Sequence, residues 1–174
     1  MKEGQYFIEN KKYDRAYLKQ WGKDSEDFGT SSRVNAKCLW ELRWGNERHI
    51  SFVFSSRSLY WSFDTPHLIK SDNDYYGYYI DNVYYNGYKI AKWDDDDDDT
   101  GVYGGGTRDD QVWYFDKVGD HYRIWNKKYK HTRLAKWGSS NSDVGSYDGS
   151  LHDDQIWDVI PRFEASDEIQ GGPG

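Results

Sequence analysis

The sequence contains little cysteine, methionine or proline: one Cys, one Met and three Pro occur among 174 residues. Because Cys38 is the only cysteine, an internal disulfide is excluded, which mildly favours a reducing compartment without excluding secretion. No segment approaches the roughly 20 apolar residues that a transmembrane helix needs. The Met1 end lacks the apolar run of a signal peptide. We expect a cytosolic protein or a mature secreted form, and the compartment stays open.

Basic residues are outnumbered, and the formal net charge is −7. This charge disfavours sequence-independent nucleic-acid binding, because phosphates would meet a repulsive field. Basic side chains do cluster locally at Lys127, Lys128, Lys130 and Arg133. A strand edge or a solvated face accounts for that cluster at least as well as a ligand does.

Motifs of catalysis are also lacking. The five histidines share no metal-ligand spacing, and no carboxylate pair predicts a general acid with a base. Cys38 lies beside the strand-like residues Leu39 and Trp40, so we interpret it as a core thiol. We therefore expect no enzyme activity, no metal and no cofactor.

Aromatic residues are abundant, at 18% of the chain, and they recur in a repeated unit of about 44 residues. Ile90–Trp93 aligns with Leu134–Trp137 without a gap, and Asp109–Trp113 aligns with Asp153–Trp157 in the same register. A third copy lies at the start, where Asn-Lys-Lys-Tyr (residues 10–13) reappears at residues 126–129. Internal repeats of this length indicate a symmetric architecture.

Each unit is typical of four short strands separated by turns rich in Gly, Asn, Asp and Ser. Three four-stranded units predict an all-β domain, a β-trefoil with pseudo-threefold symmetry. We place this single domain at residues 1–163, with a disordered tail at 164–174. Its repeats fall at about residues 5–44, 78–120 and 121–163. Residues 45–77 are either an insertion or a fourth, decayed repeat, and we favour an insertion because three copies already close a trefoil.

The last two repeats carry Gln111-Val112-Trp113 and Gln155-Ile156-Trp157. These segments, with Tyr122–Asn126 as an opening strand, resemble the Gln-x-Trp signature of ricin-type β-trefoil lectins. In the first repeat, Lys37–Trp40 stands in place of that signature. The resemblance implies a carbohydrate-binding module without catalysis, in which the signature Trp belongs to the core and the Gln braces a turn.

The resemblance also implies where sugar would bind, namely at an aromatic ring on the third strand and a polar residue just before the Gln. An aromatic face covers the C–H face of a pyranose, while carboxylates accept hydrogen bonds from its hydroxyls. The ring would be Tyr103 or Tyr147. The polar partners would be Asp110 and Asp154, with their neighbours Asp109 and Asp153.

One family element is missing, because Lys19, Ala91 and Ala135 occupy the place of the acidic residue on the second strand. Either Asp99 or Asp143 replaces this acid, or the domain has moved to another ligand. Asp99 and Asp143 also precede Gly-containing segments, where Asp commonly fixes a turn. The recurring Trp21, Trp93 and Trp137 are expected in the core or the barrel floor.

Residues 94–99 form a run of six aspartates. The aligned stretch of the third repeat is nearly uncharged, so we favour a solvated loop over a calcium site. Glycans or glycoproteins are the expected partners, with weak oligomerisation as one source of multivalency. Two alternatives stay open: a β-trefoil protease inhibitor or interaction module that uses residues 45–77, and a storage or structural protein without a specific ligand.

Overall fold

A computed structural model of the chain describes residues 1–48 and 76–163. Each repeat contributes four strands, with a short 3-10 turn before the fourth. The first repeat has β1 (Gly4–Asn10), β2 (Tyr17–Gln20), β3 (Phe28–Ser31), a turn at Ala36–Cys38 and β4 (Trp40–Arg48). The second has β5 (Tyr76–Asn82), β6 (Tyr88–Lys92), β7 (Thr100–Gly104), a turn at Asp109–Gln111 and β8 (Val112–Val118). The third has β9 (His121–Asn126), β10 (Arg133–Lys136), β11 (Val144–Tyr147), a turn at Asp153–Gln155 and β12 (Trp157–Pro161).

The first and fourth strands of the repeats form a closed antiparallel barrel. Its order is β1, β4, β5, β8, β9 and β12, and β12 pairs again with β1. The hairpins β2–β3, β6–β7 and β10–β11 lie outside this ring. Six barrel strands with three hairpins constitute a β-trefoil, which confirms the predicted fold. Closure leaves the barrel without an unpaired edge.

Three tryptophans at equivalent positions build the core. Trp40, Trp113 and Trp157 are fully buried. Each indole N–H donates to a backbone carbonyl on the second strand of its own repeat: to Leu18 at 3.0 Å, Ile90 at 2.9 Å and Leu134 at 2.9 Å. A buried indole needs such an acceptor, because an unpaired N–H away from water is costly. The Trp of the Gln-x-Trp segments is thus a core residue, as expected.

The hairpins interlock around the pseudo-threefold axis through a glycine on each third strand. A Cβ atom at Gly101 would lie 1.9 Å from the carbonyl oxygen of Ser25, and one at Gly145 would lie 2.3 Å from that of Asp97. The following residues, Val102 and Ser146, donate their backbone N–H groups to the same two oxygens at 3.1 and 3.0 Å. Each repeat therefore rests its hairpin on a loop of the preceding one, and glycine permits that close approach.

Trp21, Trp93 and Trp137, expected in the core or the barrel floor, do not lie in the core. Trp137 is 37% exposed, and the other two are half-buried. The outer rings of Trp21 and Trp137 approach a glycine on the third strand of their own repeat. These indoles flank the glycine contacts, whereas Gln20, Lys92 and Lys136, the residues before them, are the buried ones.

Most of segment 45–77 lies outside the described residues, as does the tail 164–174. The first four residues of segment 45–77 belong to β4, and its last two belong to β5. Trp40–Trp44 pairs directly with Tyr78–Asn82, so the three described repeats supply all twelve trefoil strands. Among the described residues, no helix has the length and apolar character needed to cross a membrane.

Candidate functional site

The predicted ligand residues sit where the third strand of a repeat ends and its 3-10 turn begins. In the second repeat, Gln111 holds that turn: its Oε1 accepts from the N–H of Arg108 at 3.0 Å, and its Nε2 donates to the carbonyl of Gly105 at 3.0 Å. In the third repeat, Gln155 accepts from the N–H of His152 at 3.2 Å. The glutamine therefore braces the turn that carries the two aspartates, as the resemblance implied.

Tyr147 and Asp154 are brought together in the third repeat. The Tyr147 hydroxyl donates to Asp154 Oδ1 at 2.6 Å, and Asp154 is only 7% exposed. Burial, followed by the hydrogen bond and the negative charge of Asp154, raises the pKa of Tyr147 above its ordinary value. The carboxylate of Asp154 thus fixes the position of the Tyr147 ring.

Two further side chains flank the Tyr147 ring, and the sequence did not single them out as ligand residues. Arg133 lies directly opposite Tyr147 in the hairpin, and its Nη1 is 3.5 Å from the carbonyl of Gly149. The His152 ring is centred 6.2 Å from the Tyr147 ring and tilted by 49°. Only the register of the hairpin shows that Arg133 is the cross-strand neighbour of Tyr147.

The equivalent site of the second repeat is more open. Tyr103 is 46% exposed, and the Arg108 guanidinium lies 5.8 Å from its ring centre. Asp110 Oδ2 lies 4.0 Å from Lys128 Nζ, and no hydrogen bond joins Asp110 to Tyr103 within the described residues. The ring and the carboxylate are therefore neighbours in the sequence pattern but not a bonded pair.

The two other aspartates of the turns differ in their surroundings. Asp109 Oδ1 forms an ion pair with Lys127 Nζ at 3.1 Å. Asp153 is exposed at the start of the equivalent turn. Both aspartates are thus exposed, and they differ in that Asp109 pairs with Lys127, the residue that follows β9.

Asp99 and Asp143 form hydrogen bonds within their own loops, and no described contact joins either of them to Tyr103 or Tyr147. Asp143 lies four residues from Tyr147 along the strand, about 13 Å at the usual rise. Its Oδ2 accepts from the N–H of Ser140 at 2.9 Å. Asp99 Oδ1 accepts from the indole N–H of Trp93 at 3.0 Å. Both carboxylates brace the loop between the second and third strands.

The first repeat lacks an aromatic ring at this position, where Ser31 ends β3. Lys37 stands in place of the aspartate, and Cys38 replaces the glutamine. Cys38 is fully buried, and this burial raises the pKa of its thiol. Cys38 is therefore a core thiol, and only two repeats can carry the predicted site.

Within residues 1–48 and 76–163, no cluster of three or more His, Cys, Asp or Glu side chains has the geometry of a metal site. The five exposed aspartates of residues 94–98 project from the loop between β6 and β7. The backbone carbonyl of Asp96 accepts a hydrogen bond from Lys92 Nζ, and that of Asp97 accepts one from the backbone N–H of Ser146.

No protein-family model matches the chain, and no curated protein matches it by sequence. Solved structures do resemble it. A mosquitocidal holotoxin superposes with a TM-score of 0.65 at 18% identity, covering 92% of this chain and 16% of the toxin chain. An agglutinin of Rhizoctonia solani superposes with a TM-score of 0.62 at 15% identity, covering 93% of this chain and 97% of the agglutinin.

A Polyporus squamosus lectin, solved with the epitope Neu5Acα2-6Galβ1-4GlcNAc, superposes with a TM-score of 0.60 at 14% identity. That match covers 91% of this chain and 49% of the lectin. Identities this low establish the β-trefoil fold and not a shared ligand. The chain thus has the fold of β-trefoil lectins and spans a small part of the toxin and about half of this lectin.

Proposed function

We propose that the protein is a non-enzymatic glycan-binding module that uses two shallow rim sites, one in each of the last two repeats. The observation that carries this proposal is the pairing of Tyr147 with Asp154 at 2.6 Å, at the position where the related signature expects a ring and a polar group. The second repeat offers Tyr103 at the same position. The fold shared with a lectin and an agglutinin supports the proposal.

In the second repeat, the exposed face of Tyr103 stacks on the apolar C–H face of a sugar ring. Arg108, which lies over that ring at 5.8 Å, donates hydrogen bonds to the sugar hydroxyls. In the third repeat, Arg133 and the exposed Asp153 supply donors and acceptors around the Tyr147 ring. Asp154 contributes mainly by holding that ring, because it is nearly buried.

The two sites differ in exposure and in charge, so they need not prefer the same sugar. Each is shallow, and an individual affinity in the millimolar to micromolar range is expected. Because both sites sit on one rigid domain, a glycan surface that engages both would be bound more tightly through effective concentration. This avidity makes an immobilised array a more sensitive probe than a free monosaccharide.

A glycan array tests the proposal with native protein, Tyr103→Ala, Tyr147→Ala and the double variant. We expect each single variant to weaken binding and the double variant to abolish it. Tyr84→Ala is the matched control, because Tyr84 is 57% exposed and lies outside both sites. If the native protein gives no binding signal on the array, or if the double variant binds as well as the native protein, the proposal is refuted. A protease-inhibition panel run alongside would then detect the inhibitor alternative.

A further inference from the structure

The three junctions between repeats in the barrel wall are not alike. Where the third repeat meets the first, Glu9 lies opposite Asp158. Where the first meets the second, Glu41 lies opposite Asp81. Where the second meets the third, Tyr114 lies opposite Trp125 instead. Two equivalent junctions thus carry carboxylate pairs, and the fold does not require aromatic rings there.

One carboxylate at each of the first two junctions forms ion pairs with nearby cations. Asp81 pairs with Arg43 at 2.5 Å and lies 3.7 Å from Lys89. Asp158 pairs with Lys11 at 3.2 Å and contacts His121. Each of these junctions therefore places like charges in register, and nearby cations offset part of their repulsion.

The third junction forms a cavity with an excess of positive charge. The Tyr114 and Trp125 rings stack with centroids 4.3 Å apart and an interplanar angle of 24°. Beside them is a cavity of about 410 Å³, here called the junction pocket. The described residues that line it are Asp109, Tyr114, Trp125, Lys127, Lys128 and Lys130.

Among the described charged residues that line the junction pocket, three are lysines and one is an aspartate. Lys127 already pairs with Asp109 at 3.1 Å. Lys128 Nζ lies 4.0 Å from Asp110 Oδ2 and 5.0 Å from the centre of the Tyr129 ring, whereas Lys130 is exposed with no ion pair among the described residues. The pocket therefore attracts an anion.

The combination of an aromatic platform with surplus ammonium groups selects a ligand that has both an apolar face and a negative charge. An aromatic ring packs against the C–H face of a sugar, and Lys supplies charge-assisted hydrogen bonds to a carboxylate or sulfate. The cavity volume falls within the range of small-molecule sites, roughly 300–1,000 Å³. A long polyanion is disfavoured, because the chain as a whole carries −7.

We propose that the junction pocket is a second binding site, separate from the rim, for an acidic saccharide unit bearing a carboxylate or a sulfate. The half-buried Trp125 ring carries the sugar ring, Tyr114, which is only 2% exposed, packs behind it, and Lys128 and Lys130 hold the anionic group. The proposal goes beyond the rim sites, because it concerns the barrel wall and a different charge class of ligand.

Titration of isotope-labelled protein followed by NMR tests the site, with D-glucuronic acid and D-glucose 6-sulfate as probes and D-glucose as the neutral control. We expect both acids to shift the indole N–H signal of Trp125, with affinities that weaken as salt is added, and D-glucose to bind far more weakly. The acid that binds with the higher affinity shows whether the site prefers a carboxylate or a sulfate. Equal binding of glucose, no shift with either acid, or stronger binding of adenosine monophosphate than of both acids would overturn the proposal.

Two variants locate the site. Tyr114→Glu with Trp125→Asp introduces the carboxylates of the first junction, and binding of the acids should be lost in a variant whose circular dichroism spectrum and urea midpoint show that it remains folded. Lys130→Gln removes an exposed charge and should weaken the acids about two- to fivefold while glucose is unaffected. If Lys130→Gln and the double variant Tyr114→Glu, Trp125→Asp both bind the acids with unchanged affinity, the ligand binds elsewhere.

Failure of this proposal is distinguishable from failure of the rim sites. The double variant Tyr103→Ala, Tyr147→Ala removes both rim rings and leaves the junction pocket intact. Acid binding that disappears in this double variant would assign the acids to the rim and overturn the second site. Acid binding that persists there and is lost in the junction variant would support it, whatever the glycan array shows.

Discussion

Lys92 of the second repeat donates a hydrogen bond from its Nζ to the backbone carbonyl of Ser146 in the third repeat, at 3.3 Å. The same ammonium donates to the carbonyl of Asp96 at 2.7 Å, and the side chain is fully buried. Burial lowers the pKa of Lys92, against the raising effect of Asp99, Asp97, Asp95 and Asp96. This lysine therefore joins two repeats at a cost in desolvation, which the acidic loop offsets only in part.

Lys92→Gln should change how stability depends on pH. In the first repeat, Gln20 occupies the equivalent place and donates to the carbonyl of Gly22 at 2.7 Å, so glutamine fits this environment. Because the folded pKa of Lys92 is lowered, the native state releases its proton before the unfolded chain does. The stability of the native protein relative to the variant should therefore increase as pH rises toward the unfolded pKa near 10.4.

Urea unfolding of both proteins at several pH values measures this effect. The difference in unfolding free energy, native minus variant, should rise with pH across that window. A difference that stays constant would show that the buried ammonium carries no proton-linked penalty. Lys136→Gln offers a second copy of the test, because Lys136 is also buried and burial lowers its pKa.

Tyr147→Phe should produce the opposite trend. The pKa of Tyr147 is raised in the fold, so its contribution is fully present below the unfolded value of about 10 and is lost as pH rises above it. The unfolded chain then ionises while the native state does not. The difference in the free energy of unfolding between the native protein and Tyr147→Phe should decrease between about pH 10 and pH 12. Urea unfolding at fixed temperature would measure this difference. An advantage that is independent of pH would contradict the buried Tyr147–Asp154 bond.

Trp113→Phe and Trp157→Phe should destabilise the protein by similar amounts. Each variant removes an indole N–H bond of 2.9 Å to a buried carbonyl and leaves a small void in the core. We expect a loss of about 2–4 kcal/mol in the free energy of unfolding for each, from the unpaired carbonyl and the void together. Chemical denaturation measures both, and values that differ by more than about 2 kcal/mol would contradict equivalent packing in the two repeats.

Gly145→Ala should disrupt the contact between repeats. Its Cβ would lie 2.3 Å from the carbonyl oxygen of Asp97, a backbone atom that cannot move away without shifting the loop. We expect a loss of at least about 2 kcal/mol, as for other overpacked sites. Gly45→Ala is the control, because its Cβ would meet its neighbours at 3.4 Å. Thermal unfolding compares the two variants, and equal melting temperatures would argue against close contacts between the hairpins of neighbouring repeats.

Several features of the molecule were predictable from the residues. The shift of 44 between the aligned segments predicted repeated units, and the buried Trp113 and Trp157 follow from their place in the repeat. Trp137 was predicted wrongly, because recurrence does not distinguish a core residue from one that flanks a close glycine contact. The turn role of Asp99 and Asp143 was foreseen, but their distance from Tyr103 and Tyr147 was not.

The amino-acid sequence alone determined the trefoil, because three copies of one strand pattern have one economical way to bury their apolar faces. It also determined which positions break the symmetry, since Tyr114 and Trp125 align with aspartates in other repeats. Only the tertiary structure decided which side chains meet. Tyr114 faces Trp125, and Arg133 faces Tyr147, because strand register and barrel closure set those distances, and neither is encoded in the spacing of residues along the chain.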